Sequence, residues 1–380
     1  MARTVRVELG ERSYRIHIGS GILADLGHIV RETLPRATRA LVVTDEGAGP
    51  HYLDRALAAL RAAGIEAGSA TVPAGEPAKT LSEAARLYEA CLDTGLDRDG
   101  CVVALGGGAV GDLAGFVAAT FLRGVDFVQV PTTLLAQVDA SIGGKVAVNL
   151  PRGKNLVGAF HQPRAVVADV TTLATLPARE YVAGLAEVVK HALLRDRGLF
   201  ALLEDETSAV LARDPALLED LVERNCRIKG AVVSADEREG GLRAILNLGH
   251  TVGHGVEAVL GRVEKGEPGA TPREGLLHGE CVSIGLIAAA WLSRRAGVLA
   301  QDDLPGRLED LLRRLTLPVR LPPGTDLAAV REAMRYDKKA RAGRLRWVLP
   351  VRVGQVQVTE HVRDEDVEAV LADLSRPLSG

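Results

Sequence analysis

The run Asn247-Leu248-Gly249-His250-Thr251-Val252-Gly253-His254 sets two histidines four residues apart. On a helix that spacing puts His250 and His254 on one face, with Asn247 about a turn earlier. Imidazole nitrogens so placed suit a divalent transition metal. Two further groups extend the set: His278 in Leu277-His278-Gly279-Glu280, and Glu187, a carboxylate within the otherwise apolar Gly184-Leu185-Ala186-Glu187-Val188-Val189-Lys190. One Glu and two His with an open position make a catalytic rather than a structural site, able to polarise an alcohol or ketone. Spacing alone leaves open which histidines bind. A helical His pair also serves as a cap or core pair, and a lone Glu as a solvated helix residue.

Gly106-Gly107-Gly108-Ala109-Val110-Gly111-Asp112 follows an apolar strand pattern at 101–105 and opens a helical one. Glycines there let backbone N–H groups approach a pyrophosphate at the positive end of a helix. The run is not a P-loop, since no GK[ST] follows, nor the GxGxxG of a first Rossmann strand, so by itself it also reads as a tight turn. Pro73-Ala74-Gly75-Glu76-Pro77-Ala78-Lys79 and Pro131-Thr132-Thr133 lie near other strand ends, where side chains reach a ribose or phosphate.

Lys145 in Ser141-Ile142-Gly143-Gly144-Lys145, Lys154 in Gly153-Lys154-Asn155, and Lys190, Lys229 and Arg243 sit among apolar or glycine neighbours, and Lys338-Lys339 follow Asp337. Gathered near a metal, such cations bind a phosphorylated, carboxylated small molecule. Singly, each also reads as a solvated or snorkelling side chain.

These groups need a scaffold, and the apolar pattern supplies one. Alternation on both sides of Gly10-Glu11-Arg12 predicts a hairpin over 5–18, and short apolar runs at 40–44, 101–105, 127–131 and 165–168 predict buried strands alternating with helices. That order indicates an α/β domain with a Rossmann-like parallel sheet and ligands at the strands' C-terminal ends. After Pro177 the apolar spacing turns helical, interrupted by strand-like 345–349 and 355–358. The expected division is an α/β domain with the dinucleotide-type glycine turn over 1–174 and a mostly α-helical domain carrying the candidate metal ligands over 175–380.

With 380 residues, a net charge of −3 and 47% hydrophobic residues, the chain has the make-up of a globular protein. The charge balance gives no basic face for nucleic acid. The four cysteines Cys91, Cys101, Cys226 and Cys281 are scattered without a CxxC pair, as expected in a reducing compartment. No secretory h-region opens the chain, and its longest apolar stretch falls short of the ~20 residues that span a bilayer, so a cytoplasmic enzyme or binding protein without membrane contact is expected. The Gly/Pro/Glu-rich stretch at 264–272 reads as a surface loop.

The run GGGAVGDLAGFVAATFLRGVDFVQVPTTLLAQVDASIGGKVAVNLPRGKNLVGAFHQP (106–163) closely resembles the dehydroquinate synthase family. So do TLPAREYVAGLAEVVKH (175–191), CRIKGAVVSADEREGGLRAILNLGHTVGHGVEA (226–258), LHGECVSIGL (277–286) and DKKARAGRLRWVLP (337–350). The resemblance implies an enzyme dependent on NAD and on zinc or cobalt, usually a homodimer. It acts in the shikimate pathway, turning the seven-carbon phosphate DAHP into dehydroquinate and phosphate. In that family a ring hydroxyl is oxidised by bound NAD, phosphate is eliminated, the ketone is reduced again, the ring opens, and an intramolecular aldol closes the carbocycle.

By matching motif positions, the resemblance implies Glu187, His250 and His278 as metal ligands and His254 as a substrate-site residue that hydrogen-bonds or shuttles a proton. Asp139, Lys145, Asn155, Lys190, Lys229, Arg243, Asn247 and one of Lys338 and Lys339 correspond to substrate contacts, and Arg123 to an arginine offered across the dimer. Asp45, Glu76, Lys79, the Gly106-Gly107-Gly108 turn, Asp112, Thr132, Thr133, Lys154 and also Lys145 correspond to NAD contacts. Two features depart from the pattern. The stretch between His250 and His278 is longer by roughly a dozen residues, a surplus that an exposed loop absorbs at small cost. Ala140 and Val146 stand where Ser and Thr are expected.

Overall fold

The structure is a computed structural model in which residues 2–264, 274–340 and 345–376 are described, apart from the side chains of 336–340. These residues form two compact units. The first takes in 2–177, 213–238 and 263–264; the second takes in 178–212, 239–262, 274–340 and 345–376. The segment 213–238 therefore groups with the α/β half, although it follows the change to helical spacing.

Numbered in chain order, the first unit holds strands β1 (Arg3–Val7), β2 (Tyr14–Gly19), β3 (Arg39–Asp45), β4 (Glu66–Val72), β5 (Cys101–Gly106), β6 (Asp126–Pro131), β7 (Lys145–Leu150), β8 (Gly153–Phe160) and β9 (Ala165–Asp169). Its helices are α1 (Leu26–Thr33), α2 (Gly49–Ala62), α3 (Leu81–Asp93), α4 (Gly108–Thr120) and α8 (Pro215–Ala235). Seven strands make one sheet in the order β1-β2-β9-β6-β5-β3-β4, parallel except for the β1–β2 hairpin. The central strands are mostly apolar because both faces are covered, with Gln129 a buried polar exception inside β6. Val42, Val103, Val128 and Val167 pack with Ile29 of α1 and Leu60 of α2. On the other face Leu41, Val43, Val102 and Phe127 pack with Leu87 of α3 and Leu113 of α4.

The expected hairpin forms, with Val7 opposite Tyr14, and β2 continues into the sheet beside β9. Helix α8 lies against β1, where Arg3 meets Glu223 at 2.8 Å and Asp220 at 3.3 Å. Two features go beyond the expected strands: β4 at the sheet edge, and an antiparallel hairpin of β7 and β8.

The second unit holds α5 (Ala178–Arg195), α6 (Arg197–Asp205), α7 (Thr207–Leu211), α9 (His250–Leu260), α10 (His278–Arg295), α11 (Leu304–Arg314), α12 (Leu327–Ala340) and α13 (Asp364–Leu374), with one hairpin, β10 (Trp347–Arg352) and β11 (Gln355–Thr359). At its centre α10 packs against both α5 and α9. Glycines make that contact possible. A Cβ on Gly279 would fall 1.9 Å from the Ala183 carbonyl oxygen of α5, and one on Gly285 would fall 1.9 Å from the Gly249 oxygen beside α9.

Among the described residues no helix is long and apolar enough to cross a membrane. Of the stretch 264–272 expected as a surface loop, all but Glu264 lies outside the described residues.

Candidate metal centre and glycine-turn site

In the second unit the close packing of α5, α9 and α10 brings Glu187, His250 and His278 together. Glu187 is 1% exposed, which for a carboxylate demands compensating partners. Its Oε1 lies 3.4 Å from His250 Nε2 and 3.8 Å from His278 Nε2, and one ligand atom from each of the three residues falls within 4.8 Å of the others. Gly249, at φ +79°, opens α9 and turns the chain so that His250 begins the helix.

Both imidazoles are held by their other nitrogen. His250 Nδ1 is 3.1 Å from the Leu248 carbonyl oxygen, which only accepts, so Nδ1 donates and Nε2 keeps its lone pair toward Glu187. His278 Nδ1 is 2.9 Å from Glu257 Oε2 and is aimed the same way. Burial, reinforced by the Lys190 cation, drives the His250 pKa down to about 3, against the opposing pull of Glu187, so this ring is neutral. Burial also acts to lower His278, but the hydrogen bond and charge of Glu257, together with Glu187, leave it raised. A buried carboxylate and two imidazoles with free Nε2 fit a tetrahedral or five-coordinate divalent ion of the zinc type.

Two other expected residues of this unit, Lys190 and His254, adjoin the cluster. Lys190, 2% exposed, pairs with Glu187 one turn away on α5. His254 is exposed, its ring edge-on to His250 at 5.2 Å and 6.2 Å from His278. Asn247 ends the 3-10 turn Leu242–Asn247. Arg243 in the same turn is buried, with Nε 3.7 Å from Glu239 Oε1. Lys338 and Lys339 fall on α12, but their side chains lie outside the described residues.

In the first unit, β5 runs into Gly106 and Gly107, and α4 starts at Gly108. A Cβ on Gly106 would sit 2.6 Å from Val110 Cγ2, so only glycine lets the turn close this tightly. The bare backbone at the N-terminus of a thirteen-residue helix fits a pyrophosphate. Beside it, Lys79 is 3% exposed, with Nζ 2.8 Å from Asp112 Oδ2, 3.6 Å from Glu76 Oε1 and 2.6 Å from Asn155 Oδ1. Burial works to lower its pKa, but Asp112 and Glu76 raise it on balance, so the cation is held charged.

Thr132 donates its N–H to the Gly106 oxygen at 2.9 Å, and Thr133 Oγ1 accepts from Ala136 at 3.2 Å. Asp45 Oδ1 accepts the N–H groups of Gly47 and Ala48 at 2.8 and 2.7 Å, turning the chain into α2. Asp139 lies in the π-helical turn Ala136–Ala140 and binds Lys229 of α8 through both its carboxylate, at 2.8 Å, and its carbonyl, at 2.6 Å. Lys145 and Lys154 are exposed on the β7–β8 hairpin. Arg123 is exposed at φ 69°, directly after Leu122 at φ 51°.

Sequence comparison decides the family. The profile described as 3-dehydroquinate synthase N-terminal matches residues 69–183, and the one described as 3-dehydroquinate synthase C-terminal matches 184–340. A curated 3-dehydroquinate synthase of Symbiobacterium thermophilum is 54% identical over 97% of this chain and 100% of that protein. The chain belongs to the 3-dehydroquinate synthase family. Among solved structures, the 2-epi-5-epi-valiolone synthase ValA of Streptomyces hygroscopicus subsp. jinggangensis, with NAD+ and Zn2+ bound, is 30% identical with a TM-score of 0.84, covering 97% of this chain and 98% of its own. A 2-deoxy-scyllo-inosose synthase complexed with carbaglucose-6-phosphate, NAD+ and Co2+ is 28% identical with a TM-score of 0.84, covering 98% and 99%. The α/β unit with its parallel sheet and the helical unit are thus the fold of this family.

Two residues of this family member escape a reading of motifs. Glu257 orients His278; it stands seven residues after His250, on the same helical face, so its spacing carried the signal. Asn149 is 4% exposed and knits the dinucleotide-side loops together. It donates Nδ2 to Glu76 Oε2 at 2.6 Å, accepts the Asn155 N–H at 2.8 Å, and gives its own N–H to the Lys79 carbonyl at 2.7 Å. Nothing in its local sequence marks it.

Proposed function

We propose that the chain converts DAHP (3-deoxy-D-arabino-heptulosonate 7-phosphate) to 3-dehydroquinate and inorganic phosphate, a step of the shikimate pathway. The observation that carries this reading is the convergence of Glu187, His250 and His278, with both Nδ1 atoms engaged elsewhere, in a chain of this family.

When bound, a zinc or cobalt ion supplies Lewis-acid polarisation of a substrate oxygen and NAD supplies a reversible hydride acceptor. Glu187, His250 and His278 hold the ion, while Leu248 and Glu257 fix the two rings. The Gly106–Gly108 turn, Asp45, Glu76, Lys79, Asp112, Thr132, Thr133 and Lys154 hold NAD. Lys145, Lys190, Lys229, Arg243 and one of Lys338 and Lys339 bind the carboxylate and phosphate of the substrate, and Asp139, Asn155 and Asn247 its hydroxyls. His254, exposed beside His250, hydrogen-bonds the substrate or moves a proton at it. Cations fixed in advance hold the anionic groups in place, and the leaving phosphate itself takes up the proton, so no strong protein base is required.

The enzyme works in the cytoplasm as a homodimer in which Arg123 reaches the partner's phosphate. The left-handed backbone at Leu122 and Arg123, costly for residues other than glycine, supports a functional turn there.

The test is a product assay with purified protein, NAD, zinc and DAHP. The expected result is phosphate and dehydroquinate in equal amounts, no net NADH, and loss of both products on chelation. Absence of phosphate would refute the reading, and accumulating NADH would mark a polyol dehydrogenase instead. Sedoheptulose 7-phosphate and glucose 6-phosphate in the same assay separate this reaction from those of other sugar phosphate cyclases.

A further inference from the structure

We infer that the second unit carries a separate pocket for a small planar aromatic carboxylate. A cavity of about 540 Å³ opens at the end of α10, walled by Trp291, Arg294 and Arg295 of that helix, by Arg320, and by Val370, Asp373 and Leu374 of α13. Its volume is in the range of small-molecule sites. At about 1.5 Å of rise per residue, Trp291 lies roughly 20 Å along α10 from His278, so the pocket is distinct from the metal cluster.

The wall chemistry selects the ligand. Trp291 is half-buried, and the buried Val370 and Leu374 extend its apolar surface. Three arginines line the same cavity, and the two nearby carboxylates are each shared: Arg295 lies 3.4 Å from Asp373, which also meets Arg376 at 3.0 Å, and Arg320 lies 2.9 Å from Glu309, which also pairs with Arg313. Arg294 has no carboxylate partner among the described residues; its Cζ stands 5.6 Å from the centroid of the Trp291 ring. Basic residues in a last helical turn commonly answer the negative end of the helix dipole, which accounts for Arg294 and Arg295. Arg320 comes from outside α10, is held by Glu309 and lines the same cavity, so cations from two separate segments meet there. A rim with surplus positive charge over a flat apolar wall complements an anion with a flat apolar body. A polyhydroxylated sugar phosphate would leave its hydroxyls without partners against Val370 and Leu374.

The test is calorimetric titration of the NAD- and zinc-loaded enzyme with 4-hydroxybenzoate and, for comparison, with the uncharged 4-hydroxybenzamide. The acid is expected to bind once per chain and the amide about tenfold more weakly or worse. Arg294→Ala, an exposed position, is expected to lose about tenfold or more in acid affinity while DAHP turnover and thermal melting stay unchanged. The chain has two tryptophans, so Trp347→Phe leaves Trp291 as the sole reporter, and its fluorescence is expected to change on adding the acid. No binding at millimolar acid, equal binding of acid and amide, or full affinity in folded Arg294→Ala overturns the inference.

Discussion

Glu257 Oε2 lies 2.9 Å from Nδ1 of His278, so a carboxylate seven residues beyond His250 on α9 fixes how the first residue of α10 presents its Nε2. Carboxylates in this relation to a metal-binding histidine set its orientation and raise its basicity. Glu257→Ala is expected to weaken zinc binding by about 10–100-fold, and Glu257→Gln, which keeps an acceptor, by less. Competition against a fluorescent zinc chelator measures both. Unchanged affinity in Glu257→Ala would remove this residue from the metal centre.

The packing of α10 on α5 makes a second expectation. Gly279→Val places carbon where the Ala183 carbonyl oxygen already sits, 1.9 Å away, so the helices must part. Overpacking of this kind costs about 1–3 kcal/mol or more, and the parting moves His278 away from Glu187. Melting temperature and zinc affinity are expected to fall together. A variant that melts lower yet binds zinc normally would show that the glycine serves packing alone.

Lys79 is a buried cation facing Asp112 and Glu76. Removing it leaves two carboxylates, a quarter to a third exposed, without their cation, at about 1.5–3 kcal/mol. Lys79→Ala is therefore expected to lower stability by that order in denaturant titration and to raise the KM for NAD. Lys79→Arg keeps the charge but not the shape, and is expected to recover part of the stability.

Burial pushes the thiols of Cys91, Cys101 and Cys226 up to about 12 from an ordinary 9.0. Below pH 9 both folded and unfolded thiols are protonated, so the shift affects stability little there. As pH climbs from about 9 toward 12, the unfolded chain ionises first and stability is lost. Native protein at pH 8 is expected to react slowly with a disulfide reagent, and all four thiols quickly once unfolded. Fast labelling of the native protein would contradict the burial of these residues.

The strands around the glycine turn were legible because β3, β5, β6 and β9 are covered on both faces and so are dominated by short apolar runs, broken only at buried polar residues such as Gln129. β4 was not: Glu66-Ala67-Gly68-Ser69-Ala70-Thr71-Val72 is an edge strand, half-exposed and rich in small residues. The β7–β8 hairpin was hidden because its flanking glycines and lysines read as loop chemistry. Periodicity announced α8 as a helix but cannot say which neighbour receives its apolar face, so its place beside β1 emerged only in three dimensions. His250 and Glu187 stood out as polar residues in apolar helices. The choice between His254 and His278 lay beyond spacing, because it depends on how closely Gly279 and Gly285 let α10 approach.

That choice is also where the account is tested most directly, by counting bound zinc in purified His254→Ala and His278→Ala. The cluster geometry predicts about one zinc per chain in His254→Ala, with DAHP turnover lost, and a chain stripped of zinc in His278→Ala. Zinc lost from His254→Ala but retained by His278→Ala would contradict it.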